Sequence, residues 1–374
     1  MGMKNKIVLF FLIIVIGIFG NYLYYIHNKI PDITIETKIS QMIVVGFDNS
    51  DTSVQNIKKY IKNNKISGVI FYKRNINSPS QIKKQISQFN RLSNKKYPLF
   101  IMTDQEGGRV SRISSDNGFK NYKSAEYIAK NFGLNETYSI YLDMAKNLKN
   151  IGINFNLAPC SDVKINPLSS IGQDHRIYGE KAETVVDYAL EFIKAHNDAK
   201  VITAIKHFPG LGNAKLDTHK ELPDITSTWE DTELIPFSEI IKKYPKEPVL
   251  VGHVINKNID SENISSLSQK TISILHNKMN HQGIVIADAF DMSAVNNKNI
   301  EEILVNAINS GVNLFIFPNH ISDSDNPNLH MNPEIFFQII TNAIDSGKIS
   351  PSKIDESFEK ITDLKRRYIL NYDI

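Results

Sequence analysis

Three observations predict the fold class of this sequence: a closed (β/α)8 barrel of the TIM type, preceded by an N-terminal transmembrane helix. Eight short apolar runs alternate with longer amphipathic stretches, the pattern of parallel strands joined by helices. Asp104, Asp162, His207, His253 and Asp288 stand at or just past the ends of those runs, the face where a barrel gathers its loops around one axial pocket. Ahead of them all lies an apolar run over 7–26. A doubly wound open sheet shares the alternation; the strand-end positions favour the barrel.

The elements follow in order. Lys4 and Lys6 precede the first run, whose one strongly polar member is Asn21. At about 1.5 Å per residue it spans roughly 30 Å, the thickness of a bilayer's hydrocarbon core. It carries no Ala-x-Ala cleavage site and no lipid-accepting Cys, and Tyr22, Tyr24 and Tyr25 suit a membrane interface. Residues 1–30 are therefore expected to be an uncleaved signal anchor with the lysines in the cytoplasm; a cleaved signal peptide is the alternative. The expected location is the cell membrane, single-pass, with residues 31–374 as one extracytoplasmic domain on the periplasmic side or cell surface. The strand runs are 41–47, 68–72, 98–103, 154–158, 201–205, 248–254, 283–287 and 312–317. Helical periodicity is clearest over 80–92, 127–148, 182–195 and 300–308.

Composition excludes several classes. With 41% hydrophobic and 22% charged residues the chain is globular and not disordered. A net charge of +3, without a basic stripe carrying interleaved aromatics, excludes a nucleic-acid partner. The lone Cys160 cannot form an internal disulfide, and no His-x-x-x-His or Cys-x-x-Cys spacing is present. No metal and no cofactor are expected.

The most informative stretch is Lys206-His-Phe-Pro-Gly-Leu-Gly-Asn-Ala-Lys-Leu-Asp-Thr-His219. It leaves a buried strand and breaks at a Pro-Gly-x-Gly loop. That loop gathers Lys206, His207, Asp217 and His219. Ionisable groups on a rigid strand end mark a candidate catalytic constellation; a polar surface loop with incidental histidines is the plainer reading. Asp288 ends another apolar strand, where a rigidly held carboxylate could serve as a nucleophile or cap the next helix. Asp291 is a neighbouring carboxylate in the following loop.

Four ordered segments resemble glycoside hydrolase family 3, in its single-domain β-N-acetylglucosaminidase (β-hexosaminidase) branch, over about 39–318. The loop 206–219 is similar to that family's Lys-His-Phe-Pro-Gly-His-Gly loop with its Asp-x-His ending. Asp104-Gln-Glu-Gly-Gly-Arg-Val-Ser-Arg112 resembles its sugar-binding turn. Arg176-Ile-Tyr-Gly179, after Asn156-Leu-Ala-Pro-Cys-Ser-Asp162, resembles its Arg-Ser-Phe-Gly element. Ile284-Val-Ile-Ala-Asp-Ala-Phe-Asp-Met292 resembles the strand that carries its nucleophile.

The resemblance implies a retaining exo-β-N-acetylglucosaminidase that removes terminal β-linked GlcNAc from peptidoglycan fragments. It implies Asp288 as nucleophile, and His219 with Asp217 as the acid/base dyad. A histidine titrates near neutrality and can give and then take a proton. Asp104, Arg112, Arg176, Lys206 and His207 would hold the sugar through its hydroxyls. Glu106 and Arg109 are read as structural and paired with each other, and His253 as a strand-end histidine or a pocket wall. Alternatives are a β-glucosidase-type exo-hydrolase of the same family and a non-catalytic barrel that binds cell-wall sugars. The sequence departs from the family where Leu211 replaces the loop histidine, and Leu can neither donate a hydrogen bond nor orient a carboxylate.

Overall fold

The computed structural model describes residues 33–214, 222–289, 299–319 and 331–370. The chain divides into two units, Met1–Ile35 and Glu36–Ile374, and the second holds the elements that matter here. Its strands are β1 (Ile43–Val45), β2 (Gly68–Ile70), β3 (Phe100–Thr103), β4 (Gln105–Gly107), β5 (Val110–Ser111), β6 (Phe155–Asn156), β7 (Ile202–Thr203), β8 (Ile205–Phe208), β9 (Val249–Val251), β10 (Val285–Ala287) and β11 (Phe315–Phe317). Apart from the β4–β5 hairpin, every residue of these strands is buried. A strand covered on both faces reads in sequence as a continuous apolar run, which is how these runs read.

Two parallel sheets result, one in the order β11-β1-β2-β3-β6-β7 and one in the order β10-β9-β8. The chain passes from one to the other at Ala204, whose N–H donates to Ala158 while the next amide, Ile205, donates to Pro248. A parallel bridge between Ile286 and Leu314 links β10 to the residue before β11. The β4–β5 hairpin stands apart as an antiparallel pair just beyond the end of β3.

Helices cover the sheets because their apolar residues recur on one face. Pro79–Leu92 starts where the Ser78 side chain accepts from the Gln81 N–H, and it buries Ile82, Ile86 and Phe89. Leu134–Ile151 and Ala182–Asp198 pack together through Tyr141 and Phe192, whose ring centroids lie 4.6 Å apart. Such an edge-to-face pair adds about 0.5–1.5 kcal/mol beyond burial. At the opposite end from the site, Lys365 is buried and donates to Gln41 Oε1 (2.7 Å) and the Ser67 carbonyl (3.0 Å), with its ammonium 4.6 Å from the Phe100 ring centre. Burial without a carboxylate partner lowers its pKa well below the usual lysine value.

The fold class expected from sequence is corrected. The protein is an α/β fold whose two parallel sheets are joined by the Ile286–Leu314 and Cys160–Lys206 bridges, and the part of the expectation that is overturned is the transmembrane helix ahead of them. Among the described residues no helix is long and apolar enough to cross a membrane. The physical reason is amphipathicity: even the long helix Pro351–Tyr368 buries Ile354, Phe358, Ile361 and Leu364 while carrying charged side chains on its remaining faces. The expected anchor over 7–26 lies outside the described residues. The single-pass membrane location and the membrane partner inferred from it are therefore withdrawn.

Candidate active site

The site is built where β3, β6, β8 and β10 end. Asn156, the last residue of β6, grips the chain after β3: its Oδ1 accepts the Gln105 N–H and its Nδ2 donates to the Gln105 carbonyl, both at 2.9 Å. Behind it, His196 bonds to Asn156 at 3.1 Å and is kept neutral by burial, its pKa pushed down to about 3. Gln105 in turn fixes the hairpin, its Oε1 accepting from the Arg112 and Ile113 amides at 2.9 and 3.1 Å. This chain of bonds sets Asp104 and Arg112 relative to each other before any ligand arrives.

Charges then assemble in a buried network. Asp104 Oδ2 receives Arg112 Nη2 and its Oδ1 receives Lys206 Nζ, each at 3.2 Å. Glu106 accepts Arg176 through both oxygens at 2.9 Å, and Lys206 Nζ approaches its Oε1 at 2.7 Å. Burial alone would raise both carboxyls. The Lys206 and Arg112 cations outweigh it at Asp104, and the Arg176 and Lys206 cations at Glu106, so both stay below the usual carboxylate range. For Lys206 the balance is reversed: burial would lower its pKa, but Glu106 and Asp104 hold it raised and charged.

His207 stands next in line. Its Nδ1 pairs with Asp162 Oδ2 at 2.9 Å, and its Nε2 lies 3.3 Å from Arg176 Nη2. Asp162 also accepts the His207 and Leu211 amides and the Cys160 thiol, so one carboxylate holds the histidine ring and the loop behind it. Cys160, Asp162 and His207 offer ligand atoms within 4.8 Å of one another. Those atoms are engaged with each other, and the adjacent Arg176 guanidinium opposes a further cation.

Asp288 follows β10. Its amide donates to the Val251 carbonyl at 3.0 Å and its Oδ1 accepts the Ala289 N–H at 2.8 Å. Asp288 lines the same cavity, of about 280 Å³, as Asp104, Arg112, Arg176, Lys206 and His207. Tyr72, Leu211 and Ala214 are part of the same wall. Every sugar-holding residue expected from sequence is thus brought together with the expected nucleophile. Asp217, His219 and Asp291 lie outside the described residues.

Other expectations are corrected. Glu106 does not pair with Arg109. It is buried beneath the pocket with Arg176 and Lys206, whereas Arg109, at the hairpin turn, is 74% exposed and bonds to Asp174 at 3.2 Å. His253 is no pocket wall, since it is fully buried and bonds to Ser266 Oγ (2.6 Å) and the Ala289 carbonyl (3.2 Å). Leu211 stands in the cavity wall, and the loop it belongs to is held through its backbone amide, so no side-chain donor is needed there. Sequence reasoning left two carboxylates without a role: Asp162, visible as a strand-end residue, and Glu233, which no local pattern marks. Glu233 Oε2 accepts the Gly212 N–H at 2.8 Å.

Fold and site define an α/β protein with a small polar pocket at its strand ends, where fixed carboxylates and cations can grip a polyhydroxylated ligand. A family model described as the glycosyl hydrolase family 3 N terminal domain matches residues 34–364. The β-hexosaminidase A of Pseudoalteromonas piscicida is 29% identical over 333 residues, covering 81% of this chain and 53% of that protein. A β-hexosaminidase of Haemophilus influenzae is 29% identical over 262 residues, covering 68% of this chain and 73% of its own. Among solved structures, a family 3 β-N-acetylglucosaminidase from Paenibacillus sp. str. FPU-7 superposes with a TM-score of 0.80 at 27% identity, over 90% of this chain and 63% of that one. The chain belongs to glycosyl hydrolase family 3. It spans about half the length of the Pseudoalteromonas relative and under two thirds of the Paenibacillus structure.

Proposed function

We propose that this chain is an exo-acting β-N-acetylglucosaminidase, with residues 31–374 as one catalytic domain. The observation that carries the reading is the shared cavity: Asp288 lines the same space as Asp104, Arg112, Arg176, Lys206 and His207. The names of the family relatives support the amino sugar as substrate. A cavity of about 280 Å³ suits one sugar unit and so favours removal from a chain end.

In the proposed reaction Asp288 attacks the anomeric carbon while His219 protonates the departing oxygen, giving a covalent glycosyl-enzyme and the free aglycone alcohol. Water then attacks the same carbon, His219 takes its proton, and the sugar leaves with its β configuration retained. Asp217 orients His219 and stabilises the imidazolium. Asp104, held ionised by Lys206 and Arg112, accepts from sugar hydroxyls, while Arg112, Arg176, Lys206 and His207 contribute donors. Peptidoglycan fragments are the proposed source of the terminal GlcNAc.

The test is release of p-nitrophenol from the β-glycosides of GlcNAc and glucose, with proton NMR of the first-formed anomer. Turnover of the GlcNAc compound with initial β-anomer is expected, and Asp288→Asn should lose at least ~10³-fold in rate. An α-anomer as first product, or an Asp288→Asn variant of undiminished rate, sinks the scheme.

A further inference from the structure

Two consecutive backbone amides of the pocket wall end on two different buried carboxylates. The Leu211 N–H donates to Asp162 Oδ1 at 2.7 Å, and the Gly212 N–H donates to Glu233 Oε2 at 2.8 Å. Asp162 follows β6, whereas Glu233 lies in the short helical turn Asp231–Leu234 that leads into the helix Ile235–Lys243. Glu233 is 1% exposed, and its Oε1 has no hydrogen-bond partner among the described residues. It does not line the cavity, so ligand binding does not account for a carboxyl group at this place.

We propose that Glu233 is a positioning residue that sets the pose of the wall 210–214, and with it the placement of Leu211 and Ala214 in the pocket. Its effect on turnover rests on the glycosidase reading; its effect on the wall does not. The wall has little freedom of its own. Gly210 has φ +124°, and a Cβ there would stand 2.6 Å from the Glu233 Cβ. A Cβ on Gly212 would stand 1.5 Å from the Val163 carbonyl oxygen. The chain is therefore seated between the Glu233 side chain and the Val163 backbone, and the Glu233 acceptor decides where it rests.

The charge state supplies a signature. Burial, and after it the Asp162 carboxylate, push the Glu233 carboxyl up to about 8. Asp162 goes the other way: burial would raise it, but His207 outweighs burial and holds it low. Near neutral pH the two carboxylates thus carry one charge, on Asp162. Among the described residues, the titratable groups facing Glu233 are Asp162, with its partners His207 and Cys160, and Glu230 from its own segment. Above about pH 8 Glu233 ionises beside Asp162, and like charges in a buried setting push the wall apart. A glutamine offers the Gly212 amide the same carbonyl oxygen without the charge.

Trp229, the single tryptophan of the sequence, donates its Nε1–H to the Pro209 carbonyl at 3.0 Å, at the head of the same wall. Fluorescence of the full-length protein between pH 6 and 10 should show a transition with its midpoint at about 8. Glu233→Gln should abolish it. Glu247→Gln should keep it, because Glu247 is also pushed up to about 8 by burial but bonds to Thr203, away from the wall. At pH 7, Glu233→Ala should lower kcat at least roughly tenfold below Glu233→Gln, since misplacement of a site by about 1 Å is enough for such a loss. A flat wild-type titration, which needs no variant to fold, overturns the proposal; so does a Glu233→Gln protein that keeps the transition. A Glu233-dependent transition in a protein inactive on every GlcNAc glycoside upholds the wall assignment and removes the glycosidase reading instead.

Discussion

Replacing Glu106 by glutamine tests the charge network under the pocket, because it keeps the shape and removes one charge. Glu106 is 4% exposed and receives three charge-assisted contacts: two from Arg176 at 2.9 Å and one from Lys206 at 2.7 Å. Glutamine can accept through one oxygen. Its amide nitrogen then faces a guanidinium N–H, donor against donor, and the bidentate contact is lost. Arg176 and Lys206 remain buried with Asp104 as the sole carboxylate of the network still bonded to Lys206. Removing one partner of a buried ion pair costs about 3–5 kcal/mol, a large fraction of a typical total stability of about 5–15 kcal/mol. The pH dependence has a definite sign. Arg176 and Lys206 overcome the effect of burial and hold the Glu106 carboxyl below its ordinary 4.5. Its contribution is therefore complete above about pH 4.5 and is lost as pH falls toward the folded value. Urea denaturation of both proteins should give a gap of about 3–5 kcal/mol at pH 7 that narrows below pH 4.5. A gap under about 1 kcal/mol at pH 7, the size of an exposed pair, refutes the reasoning. A gap that stays constant down to pH 3 does so equally.

Three further outcomes are expected. His219→Ala should slow natural disaccharides far more than aryl glycosides with good leaving groups, with Asp217→Asn a milder version; equal losses on both substrates count against the acid/base role. Gly212→Ala should cost at least about 3 kcal/mol in denaturation, because the added Cβ meets the Val163 carbonyl oxygen, a backbone atom, at 1.5 Å. Lys365→Met should flatten the pH dependence of stability between pH 7 and 10. The depressed lysine makes the wild type gain stability as pH rises toward the ordinary 10.5, so a parallel pH profile for the two proteins would show that Lys365 stays charged when buried.

Much of the architecture is legible in the chain because it depends on local pattern. Most of the buried strands read as short apolar runs, and Ser78 with Pro79 marks the start of the helix Pro79–Leu92. Asp104, Lys206, His207 and Asp288 are legible for a related reason: each stands at or beside a strand end, and a strand end is a feature of local sequence. The anchor reading rested on apolar content and flanking residues, with no packing partner to test it, and among the described residues no helix is long and apolar enough to cross a membrane.

What the tertiary structure alone decides is who faces whom. Glu106 and Arg109 are three residues apart, which made them plausible partners, yet Glu106 bonds Arg176, 70 positions away, because one side of the hairpin is buried and its turn is exposed. Glu233 gains its contact with Gly212 from 21 positions along the chain, and Asp162 with His207 from 45. Neither separation leaves a periodic signal. Charge pairing inside a protein is settled by burial and distance, and both are properties of the packed chain: sequence determines which groups are carried to the strand ends, and packing determines which of them meet.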